Sequence, residues 1–391
     1  MRREPLVPLV SVLIPSYNHG DFIVAAVDSV LAQTYGNIQV IIVDDASSDK
    51  SVEVIQSLRD ERIVCRFLES NVGACQAMNI GLSMCEGPYI AVCNSDDIWV
   101  PTKLEQQLEK FKNCQNLGAV FSDVEWIDSE GRFLSEENAP PFESVFKRPN
   151  RSRFSWIRDL IEGGNCLCHP SVLIKREVYQ TVGTYNNFYR QLPDLDMWLR
   201  VLQHYEILVM PEKLVGFRLH EGNTSRPGPI TSTRSINEHR LILVNMMKEI
   251  TADNFFGAFG FTNVLSIGDP SALKFEIARY LLDYRGGVYE NMFNQLGTEV
   301  LLEIPQHDII QRGISAHHFH ERVGRNTPWI SYPSPSPPPE KEIHSEIEAP
   351  PFDQGPLIAE TKTVDLIRTV AIRIKARLRE RLMAIASSVR R

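Results

Sequence analysis

Short apolar runs alternate with helical patterns over the first hundred residues. Val10 to Ile14 is an apolar run stopped by Pro15 and predicts a strand. Asp21 to Gln33 places Phe22, Ala25, Ala26, Ser29 and Val30 at helical spacing. Ile38 to Val43 predicts a second strand, Lys50 to Leu58 a helix, and Ile63 to Leu68 a third strand. Gly73 to Cys85 reads as a helix closed by Gly87, Tyr89 to Cys93 as a fourth buried strand, and Thr102 to Phe111 as a helix. Strands alternating with short helices imply an α/β fold whose mostly parallel sheet is covered on both faces. Further on, Phe154 to Ile161 predicts a short helix, and Ser171 to Ile174 and Ile207 to Val209 predict strands. The polar, Pro-containing stretch Glu136 to Arg151 reads as a loop.

The pattern changes after residue 230. From about Ile236 it is helical, and Asp269-Pro270 is a start signal for a helix over Ala272 to Tyr284. Ser331 to Pro351 carries a Pro-rich run and alternating charges, the signature of a disordered or polyproline II linker. The last stretch, Val364 to Arg391, holds eight Lys and Arg against Asp365 and Glu380. Its apolar residues Ile367, Val370, Ile374, Leu378, Leu382, Ile385 and Val389 recur every three or four positions. That is a basic amphipathic helix on a tether, suited either to an anionic membrane surface or to docking on protein. The expected divisions are an α/β domain over 1–230, a helical appendage over 231–330, a Pro-rich linker over 331–360 and the basic helix over 361–391.

The formal charge of −8 argues against wholesale nucleic-acid binding. Seven cysteines without a framework spacing point to reduced thiols and a cytoplasmic setting. Cys166-Leu167-Cys168-His169 has no second Cys/His pair at a zinc-site distance. Met1 to Pro5 leads straight into a strand without a long apolar stretch, so no signal peptide is expected. No apolar run reaches the roughly 18 residues of a membrane span.

The candidate chemistry gathers at strand ends. Asp96 and Asp97 follow the fourth strand, at the carboxyl edge where open α/β sheets bind ligands. Adjacent carboxylates repel unless a proton or cation separates them, and a hard divalent ion resolves this. The alternative is a polar turn ahead of the helix that starts near Pro101. Pro15-Ser16-Tyr17-Asn18 and Asp44-Asp45-Ala46-Ser47 end the first two strands on the same edge. Tyr17 suits stacking on a base, and Asp44 or Asp45 suits accepting from a base N–H or ribose hydroxyl. Ser47, Ser48 and Asp49 alone would make an ordinary helix cap.

Four segments in this order, VSVLIPSYNHGDFIVAAVDSVLAQTY, VIIVDDASSDKS, NVGACQAMNIGL and IAVCNSDDIW, resemble family 2 glycosyltransferases of the GT-A fold. The resemblance runs from about Leu9 to Ser225. It implies a GT-A (Rossmann-like), mostly parallel sheet flanked by helices, here with a small C-terminal helical extension and the tethered basic helix. It further implies an inverting, metal-dependent transferase that uses a nucleotide-sugar with Mn²⁺ or Mg²⁺. Pro15, Tyr17, Asn18, Asp44 and Asp45 then hold the nucleoside, and Asp96 and Asp97 form the metal and sugar site. In Pro193-Asp194-Leu195-Asp196-Met197-Trp198, Asp194 matches the catalytic base, while Asp196, Trp198 and Arg200 fix the helix. Gly164-Asn165 and His169-Pro170-Ser171 resemble an acceptor-side segment. Phe217-Arg218-Leu219-His220, followed by Ser225, resembles a segment that closes over the diphosphate, with Arg218 on phosphate and His220 on metal or phosphate.

Three positions depart from the family pattern: Asn94, Met78 where many members have Arg, and Pro193 before the base. They leave open a catalytically silent member that binds a nucleotide-sugar or a partner. The loop after the first strand lacks the Gly-rich, basic character of a sugar nucleotidyltransferase and the G-x-G-x-x-G of a dehydrogenase. No Gln-x-x-Arg-Trp segment points to a processive synthase. The expectation is therefore an enzyme that transfers a sugar, from a UDP-sugar, to a glycan or lipid-linked acceptor, with no nucleic-acid partner. It would work in the cytoplasm, peripherally at the inner membrane face through 364–391.

Overall fold

The computed structural model describes residues 7–325, apart from 113, 115, 136–137, 224–227, 261–269 and 287–288. The linker, the basic helix and Ser225 lie outside the described residues. The chain begins β1 (Val10–Ser16), α1 (Ile23–Leu31), β2 (Ile38–Asp44), α2 (Ser51–Ser57), β3 (Ile63–Phe67), α3 (Ala74–Met84) and β4 (Tyr89–Val92). It continues with β5 (Ile98–Trp99), α4 (Lys103–Phe111), β6 (Leu117–Ile127), α5 (Arg153–Gly163), β7 (Leu173–Lys175), α6 (Arg176–Val182), α7 (Pro193–Leu202) and β8 (Glu206–Arg218). Six helices follow: α8 (Pro229–Glu249), α9 (Ala252–Phe259), α10 (Pro270–Asp283), α11 (Glu290–Leu302), α12 (Gln306–Gln311) and α13 (Ala316–Arg325).

The strands form one sheet in the order β3-β2-β1-β4-β7-β6-β8-β5. Its first half is parallel, as the alternating pattern implies. The second half is mixed: β7 runs antiparallel to β4 and β6, β8 runs parallel to β6, and the two-residue β5 runs antiparallel to β8. The mixture arises where β7 enters between β4 and β6 without the right-handed helical crossover that makes parallel neighbours.

Successive side chains of β1 and β2 enter opposite cores. Leu13, Ile41 and Val43 pack on one face, while Val12, Ile14, Val40 and Ile42 pack on the other. Burial on both faces is why these strands read as apolar runs rather than as alternations. The helix α3 lies close on β1 because Gly81 has no side chain: a Cβ there would run into the side chain of Leu13. The first face continues into the later helices. Trp156 of α5 and Trp198 of α7 share a core with Ile242, Leu243 and Met246 of α8, Phe255 of α9, Leu281 of α10 and Phe293 of α11. On the second face a cation is buried. Lys103 donates to Gln107 Oε1 at 2.8 Å and sits 4.0 Å from the Trp99 ring, and burial lowers its pKa to about 7. Among the described residues no helix is long and apolar enough to cross a membrane.

The Gly81 contact tests this packing. Alanine favours helix over glycine by about 1 kcal/mol. Overpacking against Leu13 should outweigh that, so Gly81→Ala is expected to lose about 1–3 kcal/mol of stability. Urea denaturation checks it, and an unchanged or higher midpoint would contradict the close approach of α3.

Candidate active site

The carboxyl ends of β1, β2 and β4 collect the acidic residues. Pro15 lies within β1, paired across to Val43, and the ring of Tyr17 just beyond is 45% exposed. Asn18 adopts a left-handed backbone with φ of 54°. Its Oδ1 accepts from the Ser48 N–H at 2.8 Å, tying the end of β1 to the loop after β2. Asp44 is buried and accepts from Ser16 Oγ, from the Ser47 N–H and from Ser47 Oγ. Asp45 is buried as well, and its two oxygens accept from the N–H groups of Val72 at 2.7 Å and Gly73 at 2.9 Å. Those N–H groups lie just before α3, so Asp45 ties the end of β2 to the approach to that helix. Gly73 sits at φ of 89°, a conformation that favours glycine.

Asp96 and Asp97 diverge. Asp97 turns inward: Oδ1 accepts from the Arg218 N–H at 2.8 Å and Oδ2 from Asn94 Nδ2 at 2.9 Å. Burial, with Asp96 beside it, pushes its carboxyl well above the usual range. Asp96 faces the other way, and its Oδ2 lies 3.0 Å from His220 Nε2 and 3.3 Å from Asn223 Nδ2. His19, Asp96 and His220 each present a ligand atom, all within 4.8 Å of one another. His19 Nδ1 also contacts Ser95 Oγ at 2.7 Å, and burial holds its pKa below the ordinary value. A neutral imidazole is the form that ligates metal. The structure thus brings Asp96 and His220 together with His19, and it does not bring Asp97 into that group.

Arg218 is buried and its side chain is engaged by main chain. Nε donates to the Asp96 carbonyl at 2.6 Å, and one terminal nitrogen donates to the carbonyls of Asp128 and Ser129 at 2.9 Å each. Its guanidinium also stands 5.1 Å from the Phe22 ring. These bonds make Arg218 a buttress under the Asp96 loop. Nearby, Asn223 closes the turn by accepting from the His220 N–H and donating to the Arg218 carbonyl.

Asp194 opens α7, with Pro193 as the first helical residue. Its Oδ2 accepts from Asn165 Nδ2 at 2.5 Å and its Oδ1 from the Leu195 N–H at 2.8 Å. Loss of hydration raises its pKa to about 7, with Glu238 adding to the rise. Below it Asp196 pairs with Arg200 at 2.7 Å, and Arg200 donates to the carbonyls of Val182 and Thr184. Trp198 is fully buried, edge-on to Phe121. His169 is half-buried against Tyr185, 2.9 Å from its hydroxyl. The start of α3 links the two sides: Asp45 accepts from the Gly73 N–H just before it, and Cys75 Sγ, two residues on, contacts the Tyr189 carbonyl at 3.2 Å.

The profile described as Glycosyl transferase family 2 matches residues 11–183. The putative teichuronic acid biosynthesis glycosyltransferase TuaG of Bacillus subtilis is 35% identical over 222 residues, 56% of this chain and 82% of TuaG. The chain belongs to glycosyl transferase family 2. A second relative in Escherichia coli is WfaP, the UDP-Glc:alpha-D-GlcNAc-diphosphoundecaprenol beta-1,3-glucosyltransferase. It is 45% identical over 133 residues, 34% of this chain and 52% of WfaP, so the match spans about half of that relative. Residues 1–349 of S. aureus TarS in complex with UDP-GlcNAc share the fold at a TM-score of 0.51 and 16% identity, over 76% of this chain and 82% of that one. The protein is a glycosyltransferase with the GT-A fold. The family match ends before Asp194, Arg218 and His220.

Sequence reasoning did not select His19, Asn223 or Glu238. His19 lies inside the first family-like segment, and the strand-edge rule that marked Tyr17 and Asn18 extends to it. Asn223 and Glu238 carry no comparable sequence signal.

Proposed function

We propose that the protein is an inverting, metal-dependent transferase that moves a sugar from a UDP-sugar to a hydroxyl of a glycan or lipid-linked acceptor, with Asp194 as general base. The observation that carries this is the Asp194 carboxyl at the start of α7, held by Asn165 Nδ2 and the Leu195 N–H, with its pKa raised to about 7 by loss of hydration. A base is most effective when its pKa lies near the working pH. UDP as the nucleotide is supported by what the relatives are named for and solved with: UDP-Glc for WfaP and UDP-GlcNAc for TarS. A cell-surface acceptor is supported in the same way by TuaG and by the diphosphoundecaprenol-linked acceptor of WfaP.

The residues divide the work. The exposed Tyr17 ring offers a stacking surface for the base, while Pro15, Asn18, Asp44 and Asp45 shape the loop beneath it. His19, Asp96 and His220 would hold the divalent cation, and two imidazoles favour Mn²⁺ over Mg²⁺. When bound, such a cation neutralises charge that develops on the leaving diphosphate. Asp97, through Arg218 and Asn94, fixes the turn that aims Asp96. Asp194 takes the acceptor hydroxyl's proton as its oxygen bonds to the anomeric carbon. The bond from that carbon to the diphosphate oxygen breaks on the opposite face. The nucleoside diphosphate leaves with the electron pair, and the anomeric centre is inverted. Asn165 holds the base oxygen through Nδ2. The basic segment 364–391 would bring the enzyme to an anionic, cytoplasmic membrane face where lipid-linked acceptors reside.

Asp194→Asn is expected to lower UDP release from UDP-sugars by at least about 100-fold with little change in donor KM. The base works only when ionised, so wild-type kcat/KM should rise with pH and level off above about 7. A flat profile through that range would exclude the assignment. Thermal unfolding tests the cation: Mn²⁺ with UDP should raise the Tm by a few degrees, and His19→Ala and His220→Ala should each abolish the Mn²⁺-dependent part. An equal rise in both variants would exclude that site. For the membrane, the full chain should sediment with phosphatidylglycerol vesicles at low salt and not with phosphatidylcholine alone. Equal sedimentation with both lipids would rule out the electrostatic attachment.

A further inference from the structure

Downstream of the family match, the helix α8 packs against the segments that hold Asp194. Glu238 of α8 is 5% exposed, buried among main chain. Its Oε1 accepts from the Arg190 N–H at 3.0 Å, and its Oε2 accepts from the N–H groups of Gln191 at 2.8 Å and Leu192 at 2.9 Å. Three consecutive N–H groups of the turn leading into α7 thus end on one side chain from a distant helix. The flanking residue Leu192 gives α7 no side-chain cap of its own. A carboxylate beside this helix start is favoured by the helix dipole.

The neighbouring residue reaches the other support of Asp194. His239 is fully buried, its ring 4.4 Å from that of Tyr289. A Cβ on Gly164 would stand 3.9 Å from His239 Cε1 and 3.5 Å from the Tyr289 hydroxyl. Gly164 precedes Asn165, which donates to Asp194 Oδ2. Asn245, farther along α8, donates to the Tyr189 hydroxyl at 3.3 Å. So α8 contacts the turn before the base and the segment that hydrogen-bonds it.

We infer that Glu238 is a positioning residue for the transfer reaction: from α8 it fixes the turn at residues 190–192 that leads into α7, and thereby the aim of the Asp194 carboxylate. This rests on Asp194 being the base. A group held within a few tenths of an ångström of the productive geometry works far better than one that wanders. Glu238 also places a negative charge toward Asp194. The other titratable groups facing Asp194 are Cys75 from α3 and Tyr185 from the turn before α7, both held neutral by burial. His169, against Tyr185, is likewise neutral, its pKa lowered to about 4 by burial. Within α7 itself, Asp196 is paired with Arg200.

The test uses the full chain with Mn²⁺, UDP-glucose and UDP-N-acetylglucosamine as probes, and UDP release as the readout. Glu238→Gln removes the charge and one accepting oxygen. It should lower kcat about tenfold, leave donor KM within about twofold, and move the acidic limb of the pH profile down by a few tenths of a unit. Glu238→Asp keeps the charge but shortens the reach, so kcat should fall while the limb stays in place. Wild-type kcat in either variant, or a donor KM that worsens in step with kcat, would overturn the inference. If Glu238→Gln does not fold by circular dichroism, Glu238→Asp alone decides on the same terms. Asp194→Asn, measured alongside, separates the two failures. Activity retained there overturns the base itself, whereas activity lost there and kept in the Glu238 variants overturns only the anchor.

Discussion

A carboxylate taken out of water must recover its lost hydrogen bonds or give up its charge. Asp44, Asp45, Asp96 and Asp97 are all buried at one edge of one sheet, and the surrounding structure is arranged around that demand. Asp45 is satisfied by the Val72 and Gly73 N–H groups just before α3, Asp44 by Ser16 and Ser47, and Asp97 by Asn94 and the Arg218 main chain. Each solution ties two segments together: β2 to α3, β1 to β2, and the turn after β4 to the end of β8. Asp96 is left with its Oδ2 toward His220 and Asn223, at the place where His19 also arrives. The same rule reappears at Glu238, whose oxygens collect three N–H groups at the head of α7.

Much of the first half is legible in the sequence because burial on both faces leaves continuous apolar runs. β1 to β4 and the helices between them fall where the pattern puts them, with ends moved by a residue or two. The eleven-residue strand β6 carries Ser122, Asp123 and Glu125 and is not legible as a strand. β8 is interrupted by Pro211, Glu212 and Lys213, so only Ile207 to Val209 shows in its pattern. The two strands pair with register shifts around Ser122 and Asp123, and neighbours rather than local preference hold them. β5 exists only through its partner: Gly216 of β8 admits Ile98, since a Cβ there would meet Ile98 Cγ1 at 2.7 Å.

The site shows a similar division. Strand ends and the Asp194 segment can be found from residue order, because the fold fixes which edge they reach. The direction a side chain takes at that edge cannot. Asp97 and Arg218 read as ligand contacts in the sequence; the structure adds that a main-chain N–H 121 positions away engages the one and loop carbonyls engage the other. His19 comes into the group only because the turn after β1 brings it beside Asp96 and His220.

The reach of Glu238 across to residues 190–192 bears on how the chain can be recombined. A junction placed at residue 183, where the family match ends, would keep Glu238 with its turn but separate both from Asn165 and Gly164. A junction between β8 and α8 would strand the carboxylate from the three N–H groups it serves. A segment exchanged with a relative would therefore have to run from α5 through α8 as one block, and the natural unit of transplantation is larger than the segment that carries Asp194.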